Sequence, residues 1–298
     1  MYVAGSGRSG TTALALYLES EIEAFHAGEL RYVWQRGVVE NQLCECGLPF
    51  RDCEFWSEVL EIAYGPLLPQ ALKSIQELSP AVDRMRHIVL GAVAPTTGRR
   101  ATRIHYSGTL IPLYAAIAKV SKAATIIDSS KDPSYLFALS RTRALDLTAV
   151  HFVRDSRAVA YSWSKKVIRP EIHWKQQHMD QFSPRKSASL WMTCNTTLDM
   201  YRARHSSSVL LKYEAFAANP QRVLGELAHH ESLASGFAST QACTKGHSFS
   251  GNPMRFNKGP LEITLDEQWR TLMPPRSRRQ VSLITMPMLL RYGYRLRA

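Results

Sequence analysis

The chain has 298 residues, 45% of them hydrophobic, and its 37 basic and 25 acidic residues give a formal net charge of +12. No apolar stretch approaches the roughly 20 residues that a membrane span requires, and the N-terminus lacks the charged and apolar regions of a secretory leader. The odd number of five cysteines favours a reducing compartment, so we expect a cytoplasmic protein without a transmembrane segment.

The positive charge suits a polyanionic ligand such as nucleic acid, an anionic membrane face or a multiply phosphorylated cofactor. The basic residues are scattered in short groups, so nucleic-acid binding is not favoured.

Short β-branched runs alternate with longer helical patterns, which is typical of βαβ units and a parallel sheet. We therefore predict one α/β domain over residues 1–298. The predicted strands are Tyr2–Ala4, Ala124–Ile127, Thr148–Val153 and Ser208–Lys212.

Two helical patterns and two irregular segments complete the prediction. Residues 182–204 have the periodicity of a long amphipathic helix, whereas Ser57–Leu78 predicts a less regular helix broken by prolines 66 and 69. Segments 79–108 and 165–184 fit neither pattern. Long irregular segments within a compact domain are typical of lids and binding loops, so we predict that both are insertions that bind the acceptor or close over it.

The segment Gly5–Thr12, with the sequence GSGRSGTT, lies between the first predicted strand and a run of helix formers. Its glycines allow the backbone to approach phosphate oxygens, and the N-terminus of the following helix adds partial positive charge. The spacing matches the phosphate-binding loop of nucleotide triphosphatases, except that Thr11 stands in place of their lysine. The loop therefore predicts a phosphate-bearing cofactor other than ATP with Mg²⁺.

A second informative segment follows the third predicted strand. Arg154 ends this strand, Asp155 or Ser156 is placed to cap the next helix, and Ser162 lies eight residues after the arginine. An arginine can form a bidentate pair with a phosphate, and a serine hydroxyl can donate to the same group. The alternative is a surface ion pair between Arg154 and Asp155 at the start of a helix.

Together, the two segments resemble the sulfotransferases that use 3′-phosphoadenosine 5′-phosphosulfate (PAPS). The resemblance extends to Leu210–Glu214, a strand that ends in a cofactor-contacting tyrosine, to the late loop Gly251–Gly259, and to the closing segment Glu262–Trp269. It implies a P-loop-NTPase-like three-layer fold with a central parallel sheet flanked by helices. It also implies PAPS as donor and adenosine 3′,5′-bisphosphate as product. The implied cofactor contacts are Gly7, Arg8, Ser9, Gly10, Thr11, Thr12, Arg154, Ser162, Tyr213, Ser250 and Arg255.

The resemblance also implies the catalytic groups. The Lys-Thr-His motif of the cytosolic small-molecule branch is absent, and the pattern is closer to the carbohydrate and tyrosylprotein sulfotransferases. Glu29, 21 residues after Arg8, corresponds to the base of that branch, and Lys131 before Asp-Pro corresponds to the lysine that assists the leaving group. Arg8 is the third implied catalytic residue, together with Glu29 and Lys131. The alternatives are a solvated Glu29, a Lys131 that only caps a helix, a Tyr213 that only packs, and a histidine base. The candidate histidines are His26, His173 and His178.

The implied scheme does not fix the acceptor and requires no metal. The acceptor would present a hydroxyl or amine on a small molecule, carbohydrate or lipid. Two other functions remain open from the sequence. The first is a P-loop kinase or NTPase, with Thr125–Asp128 as its Mg²⁺-binding strand, which the threonine at position 11 disfavours. The second is a non-enzymatic polyanion binder that uses the +12 charge.

The cysteine pattern Cys44-x-Cys46-Gly-x₅-Cys53 supplies three thiols close together in the chain. A zinc site would need one more ligand, such as His26 or Cys243. The C-x-C spacing lacks the usual C-x₂-C knuckle, and no pair of histidines follows. A reduced buried cluster and a disulfide between two of these cysteines are equally open, and we expect no metal.

Overall fold

The computed structural model of the chain describes residues 1–85, 88, 97–142, 144–230 and 244–296, with the backbone alone for 97–100. The strands in these ranges are β1 Tyr2–Ala4, β2 Ala24–Gly28, β3 Thr125–Lys131, β4 Ala149–Val153 and β5 Ser208–Lys212. The α-helices in these ranges are α1 Thr11–Glu21, α2 Glu54–Ala63, α3 Leu68–Val82, α4 Thr97–Ser121, α5 Pro133–Leu139, α6 Ser156–Ser164, α7 Pro184–Arg202, α8 Tyr213–Ala218, α9 Pro220–Ala228, α10 Trp269–Leu272 and α11 Pro275–Arg291.

The strands form one parallel sheet in the order β2-β3-β1-β4-β5. Successive residues of β1 enter different cores: Tyr2 and Ala4 pack with α2, α3 and α4, whereas Val3 packs with α1 and α9. Because side chains alternate across a strand, this division shows that helices cover both faces. The predicted α/β fold with a central parallel sheet flanked by helices is therefore confirmed.

The predicted strands are confirmed within a few residues at their ends, but the sequence prediction missed β2. This edge strand reads Ala-Phe-His-Ala-Gly, and every residue in it is buried. A histidine and a glycine interrupt its apolar pattern, so the strand is defined by its pairing with β3 and not by local preference. In the described ranges no helix is both long and apolar enough to cross a membrane.

The predicted helix over 182–204 is confirmed as α7, which a serine at position 183 caps. The predicted irregular helix over Ser57–Leu78 is two helices separated by a 3₁₀ turn at Gly65–Leu67. Pro69 lies in the first turn of α3, where a missing N–H costs nothing, so it starts a helix instead of breaking one.

The two segments predicted as irregular insertions differ from each other. In 79–108 the described residues include the end of α3 and the beginning of α4, so much of this segment is helical, and the remainder lies outside the described residues. The segment 165–184 has only an isolated bridge, between Ile168 and His178, before α7 begins. The second segment is therefore a true loop, and it crosses the carboxyl edge of the sheet.

Candidate active site

The carboxyl ends of all five strands meet at one edge of the sheet, where each strand ends on or next to a residue of the predicted site. Gly5 follows β1, Glu29 follows β2, Lys131 ends β3, Arg154 follows β4 and Tyr213 follows β5. This edge is where open parallel sheets bind ligands, because the loops that follow the strands converge there. The sequence analysis found Gly5 and Arg154 from local patterns, and it found Glu29, Lys131 and Tyr213 only through the resemblance.

A cavity of about 430 Å³ lies at this edge, and residues of the segment Gly5–Thr12 line it together with Glu29 and Lys131. The described segments that line it are Gly5–Arg8, Gly10–Ala13, Ser130–Pro133 and Gly251–Asn252, with single residues from the segment 165–184 and from α7. Arg169, Glu171, Met179 and Asp180 are the residues of segment 165–184 that line the cavity. Met85 is the described residue of segment 79–108 that reaches the cavity.

The loop between β1 and α1 takes a backbone path that requires glycine. Gly10 has a φ of 90°, and a Cβ at this position would lie 2.7 Å from the Tyr213 ring. At Gly5 a Cβ would lie 2.4 Å from the carbonyl oxygen of Phe152. Arg8 also has a positive φ, of 70°. The tight turn presents the N-terminus of α1, which has neither a side-chain cap nor an acidic residue in its first turn, as a suitable place for an anion.

Four polar side-chain atoms in this loop are buried and have no hydrogen-bond partner in the described part of the chain. They are Arg8 Nε, Ser9 Oγ, Thr11 Oγ1 and Thr12 Oγ1. Leaving a buried donor unpaired costs about 1–3 kcal/mol, so such a concentration points to a ligand that supplies the partners. Burial and the nearby cation of Arg154 lower the pKa of Arg8 from its ordinary value, which is the electrostatic environment expected around an anion.

Trp163 holds this loop in place and was missed by the sequence analysis. Its indole N–H donates to the carbonyl of Gly7 at 3.2 Å, and its ring stacks on Phe182. A Cβ on Gly7 would lie 2.7 Å from that ring, so the glycine allows the tryptophan to close on the loop. Position 163 directly follows Ser162, but nothing in a single sequence distinguishes this tryptophan from one that only packs.

Glu29 is buried and forms an ion pair with Lys131 across the cavity wall. Its other carboxylate oxygen accepts from Ser250 at 3.5 Å and lies 3.7 Å from the Arg36 guanidinium. Arg36 was also missed; it lies in the π-helical turn Val33–Val39, stacks on Tyr32 and lines the cavity. Glu29 is therefore not a solvated surface residue, and Lys131 does more than cap a helix.

The alternative histidine bases lie outside the cavity lining among the described residues. His26 is buried and its Nε2 lies 3.0 Å from Ser129 Oγ. Burial, together with the charges of Lys131 and Arg255, lowers the pKa of His26 to about 3. His173 is exposed and packs beside Trp174. His178 is half-buried and belongs to the isolated bridge with Ile168.

Two of the cofactor residues predicted beyond the loop, Arg154 and Tyr213, contact each other and do not line the cavity. Arg154 is buried, stacks on the Tyr213 ring at 4.2 Å, and donates to the Asp266 carboxylate at 3.1 Å. Tyr213 donates to the carbonyl of Thr264 at 3.0 Å. Although burial alone would raise the pKa of Asp266, the Arg154 guanidinium lowers it. Ser162 lies half-buried in α6, the helix that follows Arg154.

Ser250 and Arg255, the other two predicted cofactor contacts, bond to protein groups in this structure. The Ser250 hydroxyl accepts from Arg36 at 2.6 Å and thereby holds the guanidinium that lies beside Glu29. The Arg255 guanidinium is buried and donates to the carbonyls of Ser248 at 2.9 Å and Leu43 at 3.1 Å. These bonds hold the late loop against the segment that precedes α2. Both residues therefore hold the shape of the site in this structure, and the cofactor contacts that the resemblance implied for them stay predictions.

The position of Asp128 argues against the P-loop kinase or NTPase alternative. Asp128, which would be the Mg²⁺-binding carboxylate, is buried and away from the cavity. It accepts from the Tyr114 hydroxyl at 2.5 Å and from the Ser130 backbone at 2.9 Å. Burial raises its pKa. An internally satisfied carboxylate of this kind is a structural element of β3 and is not available to a metal-bound nucleotide.

Two solved structures match this chain. The sulfotransferase domain of the Synechococcus PCC 7002 olefin synthase matches with a TM-score of 0.51 and 15% identity, over 99% of this chain and 94% of that one. The sulfotransferase domain of the curacin biosynthetic pathway matches with a TM-score of 0.48 and 13% identity, over 99% and 97% of the two chains. No protein-family model and no curated protein sequence matches this chain. The likeness to the first of these domains shows that the chain has the P-loop-like fold of that domain.

Proposed function

We propose that this protein is a sulfotransferase that moves the sulfuryl group of PAPS to a hydroxyl or amine of an acceptor. The observation that carries the proposal is the set of buried, unpartnered donors in the loop before α1, next to the paired Glu29 and Lys131. The fold shared with the sulfotransferase domain of the olefin synthase supports it. So does the threonine at position 11, because a loop that binds no Mg²⁺-bridged γ-phosphate does not need the P-loop lysine.

The residues present fit a donor of this kind. Bound PAPS would supply an activated sulfuryl group on a 5′-phosphate. The backbone N–H groups at the start of α1 and the hydroxyls of Ser9, Thr11 and Thr12 would bind that end, since they are the buried groups without partners. Arg154 and Tyr213, with Ser162 on the next helix, would bind the 3′-phosphate. The Arg154 Nε has no partner in the described part of the chain and is available for this contact.

In this proposal Glu29 is the general base. A carboxylate can take the proton from an acceptor hydroxyl as the oxygen attacks, which typically contributes about 10²–10⁴-fold. The Lys131 cation pairs with Glu29 and, together with Arg8, would stabilise negative charge as it develops on the leaving phosphate oxygen. A carboxylate base and a lysine at the end of β3 support our proposal that the enzyme resembles the carbohydrate and tyrosylprotein type of sulfotransferase and not the histidine-dependent branch.

The rest of the cavity lining, which we assign to the acceptor, combines aromatic, cationic, acidic and apolar side chains. Tyr32, Arg36, Arg169, Trp163 and Leu190 line it. Aromatic faces suit a ring, and the two arginines suit an acceptor that carries an anionic group. We propose a small-molecule, carbohydrate or lipid acceptor that combines both features. The polyanion-binder alternative has no comparable support, because it needs no buried loop donors and no paired carboxylate.

Titration calorimetry separates the candidate functions. We expect adenosine 3′,5′-bisphosphate to bind, and ATP with Mg²⁺ to bind much more weakly. Tight binding of ATP with Mg²⁺ and none of the bisphosphate would instead establish a nucleotide triphosphatase. Tight, salt-dependent binding of an oligonucleotide alone would establish a polyanion binder. A screen of carbohydrate, phenol, lipid and peptide acceptors with ³⁵S-labelled PAPS then identifies the acceptor class.

A further inference from the structure

Outside the cavity, four metal-binding side chains meet between the segment before α2 and the late segment of the chain. Cys44 and Cys46 lie on a tight turn, Cys53 precedes α2, and His247 comes from the strand-like segment that pairs with the turn. Their ligand atoms all lie within 4.8 Å of one another. Cys44 and Cys53 are buried, whereas Cys46 and His247 are half-buried.

The separations are those of a shared tetrahedral centre. The sulfur of Cys53 lies 3.7 Å from the sulfur of Cys46 and 3.7 Å from that of Cys44. His247 Nδ1 lies 3.3 Å from the Cys53 sulfur and 4.0 Å from the Cys44 sulfur. Zinc bonds of about 2.3 Å to sulfur and about 2.0–2.1 Å to nitrogen place tetrahedral ligands about 3.8 Å and about 3.6 Å apart, respectively.

The surrounding groups support thiolates in these positions. Backbone N–H groups of Cys46, Leu48 and Trp56 donate to the sulfurs of Cys44, Cys46 and Cys53, respectively. Partners of this kind orient ligands and stabilise their charge. The His247 ring stacks on Phe55 with centroids 5.1 Å apart, and its carbonyl accepts from the Trp56 indole at 2.9 Å. The imidazole is therefore fixed with Nδ1 toward the three sulfurs.

Two features of the sequence argued against a metal: the C-x-C spacing and the lack of a following pair of histidines. The structure answers both. The C-x-C turn closes through a bond from Gly47 N–H to the Cys44 carbonyl, with Gly47 at a φ of 91°, so the two thiols of the turn point the same way. The fourth ligand is His247, nearly 200 residues further along the chain, and not His26, which contacts Ser129. Cys243 lies outside the described residues. All four positions are protein ligands, which is typical of a structural zinc site.

We propose that Cys44, Cys46, Cys53 and His247 bind one structural zinc ion. The ion would fasten the late segment to the turn before α2. Phe249, two residues after His247, accepts from the Glu29 backbone N–H at 2.7 Å, and Ser250 contacts the Glu29 carboxylate. The zinc site thus fixes the backbone that positions Glu29, without any ligand reaching the cavity. The metal site does not depend on the proposed reaction.

Metal analysis of the full chain tests the proposal. The protein is expressed without a metal-binding tag, purified under reducing conditions, dialysed and measured by plasma mass spectrometry. We expect about one zinc per chain, as four protein ligands around one ion require. Growth with cobalt should produce the visible d–d and sulfur-to-metal absorption of a tetrahedral thiolate site. Zinc removal by a chelator should lower the Tm, because ligand binding to the native state stabilises it.

Matched variants locate the site. Cys53→Ser and His247→Gln should lose zinc, whereas Cys194→Ser and His205→Gln, which change the same residue types away from the cluster, should retain it. If the cluster variants do not fold, the zinc content and cobalt spectrum of the wild-type protein decide the question. A folded wild-type chain that neither contains zinc nor takes it up overturns the proposal. A disulfide among the three cysteines, found by non-reducing peptide mapping, overturns it as well. Neither measurement involves PAPS or turnover.

Discussion

The two ends of the proposed donor site differ in how their polar groups are satisfied. At the reactive end, formed by Gly5–Thr12 with Glu29 and Lys131, the loop donors are buried and lack partners in the described structure. At the Arg154 end, formed by Arg154, Tyr213 and Asp266, the protein supplies an internal anion to the arginine. The first end is preorganised to receive an anion, whereas the second must exchange one anion for another.

This difference predicts that turnover and donor affinity depend on different residues. A change in the Glu29 carboxylate should act on turnover, and a change at the Arg154 end should act on donor affinity. Four substitutions, taken from the largest expected effect to the smallest, test this division.

Glu29→Gln has the largest expected effect. The amide keeps the shape of the side chain but cannot take a proton, so we expect turnover to fall about 10²–10⁴-fold. The affinity for adenosine 3′,5′-bisphosphate should remain unchanged in calorimetry. Glu58→Gln, on the exposed face of α2, is the matched control and should keep wild-type turnover. Wild-type turnover in Glu29→Gln would show that the base is another group.

Arg154→Ala should weaken donor binding and affect turnover much less, which is the reverse of Glu29→Gln. Removing a buried guanidinium that pairs with a phosphate typically costs about 2–5 kcal/mol of binding free energy. We expect the Kd of adenosine 3′,5′-bisphosphate to rise accordingly, while turnover at saturating donor falls much less. Arg222→Ala, which removes an exposed pair with Glu226 on α9, is the control. An unchanged Kd in Arg154→Ala would exclude Arg154 from the donor site.

Gly10→Ala tests the backbone path that presents the loop. An alanine would be strained at a φ of 90°, by about 1–2 kcal/mol, and its Cβ would displace Tyr213. We expect a lower Tm and weaker bisphosphate binding. Gly108→Ala, inside α4 with no heavy atom within 4 Å of its Cβ, should instead raise stability by about 0.5–1 kcal/mol. Equal changes in Tm for both variants would show that the loop has no special requirement.

Asp266→Asn sharpens the comparison most directly and has the smallest expected effect. If the carboxylate competes with the 3′-phosphate for Arg154, then removing its charge should strengthen bisphosphate binding by up to about 1 kcal/mol, the range for a partly exposed ion pair. Adenosine 5′-monophosphate, which lacks the 3′-phosphate, should show no gain. Weaker binding of the bisphosphate would mean that Asp266 supports the site instead of occupying it.

The sequence determined much of the framework, because strands, turns and helix starts depend on neighbouring residues. The β1–loop–α1 unit and Arg154 at the end of β4 follow from apolar runs, glycine spacing and a capping residue. The edge strand β2 could not be read in this way, since a histidine and a glycine disrupt its pattern and only its pairing with β3 makes it a strand. Trp163 and Arg36 were missed because aromatic and cationic residues are common wherever a chain packs or meets solvent.

The roles of the long-range partners were decided by the tertiary structure alone. Glu29 and Lys131 are about a hundred residues apart and form a pair only because β2 and β3 are neighbours. His247 reaches three cysteines some 200 residues earlier, and Asp266 takes the place beside Arg154, through contacts that leave no local pattern. A sequence determines which residues can carry charge, bind a metal or turn the backbone. Which of them face one another depends on the packing of distant segments.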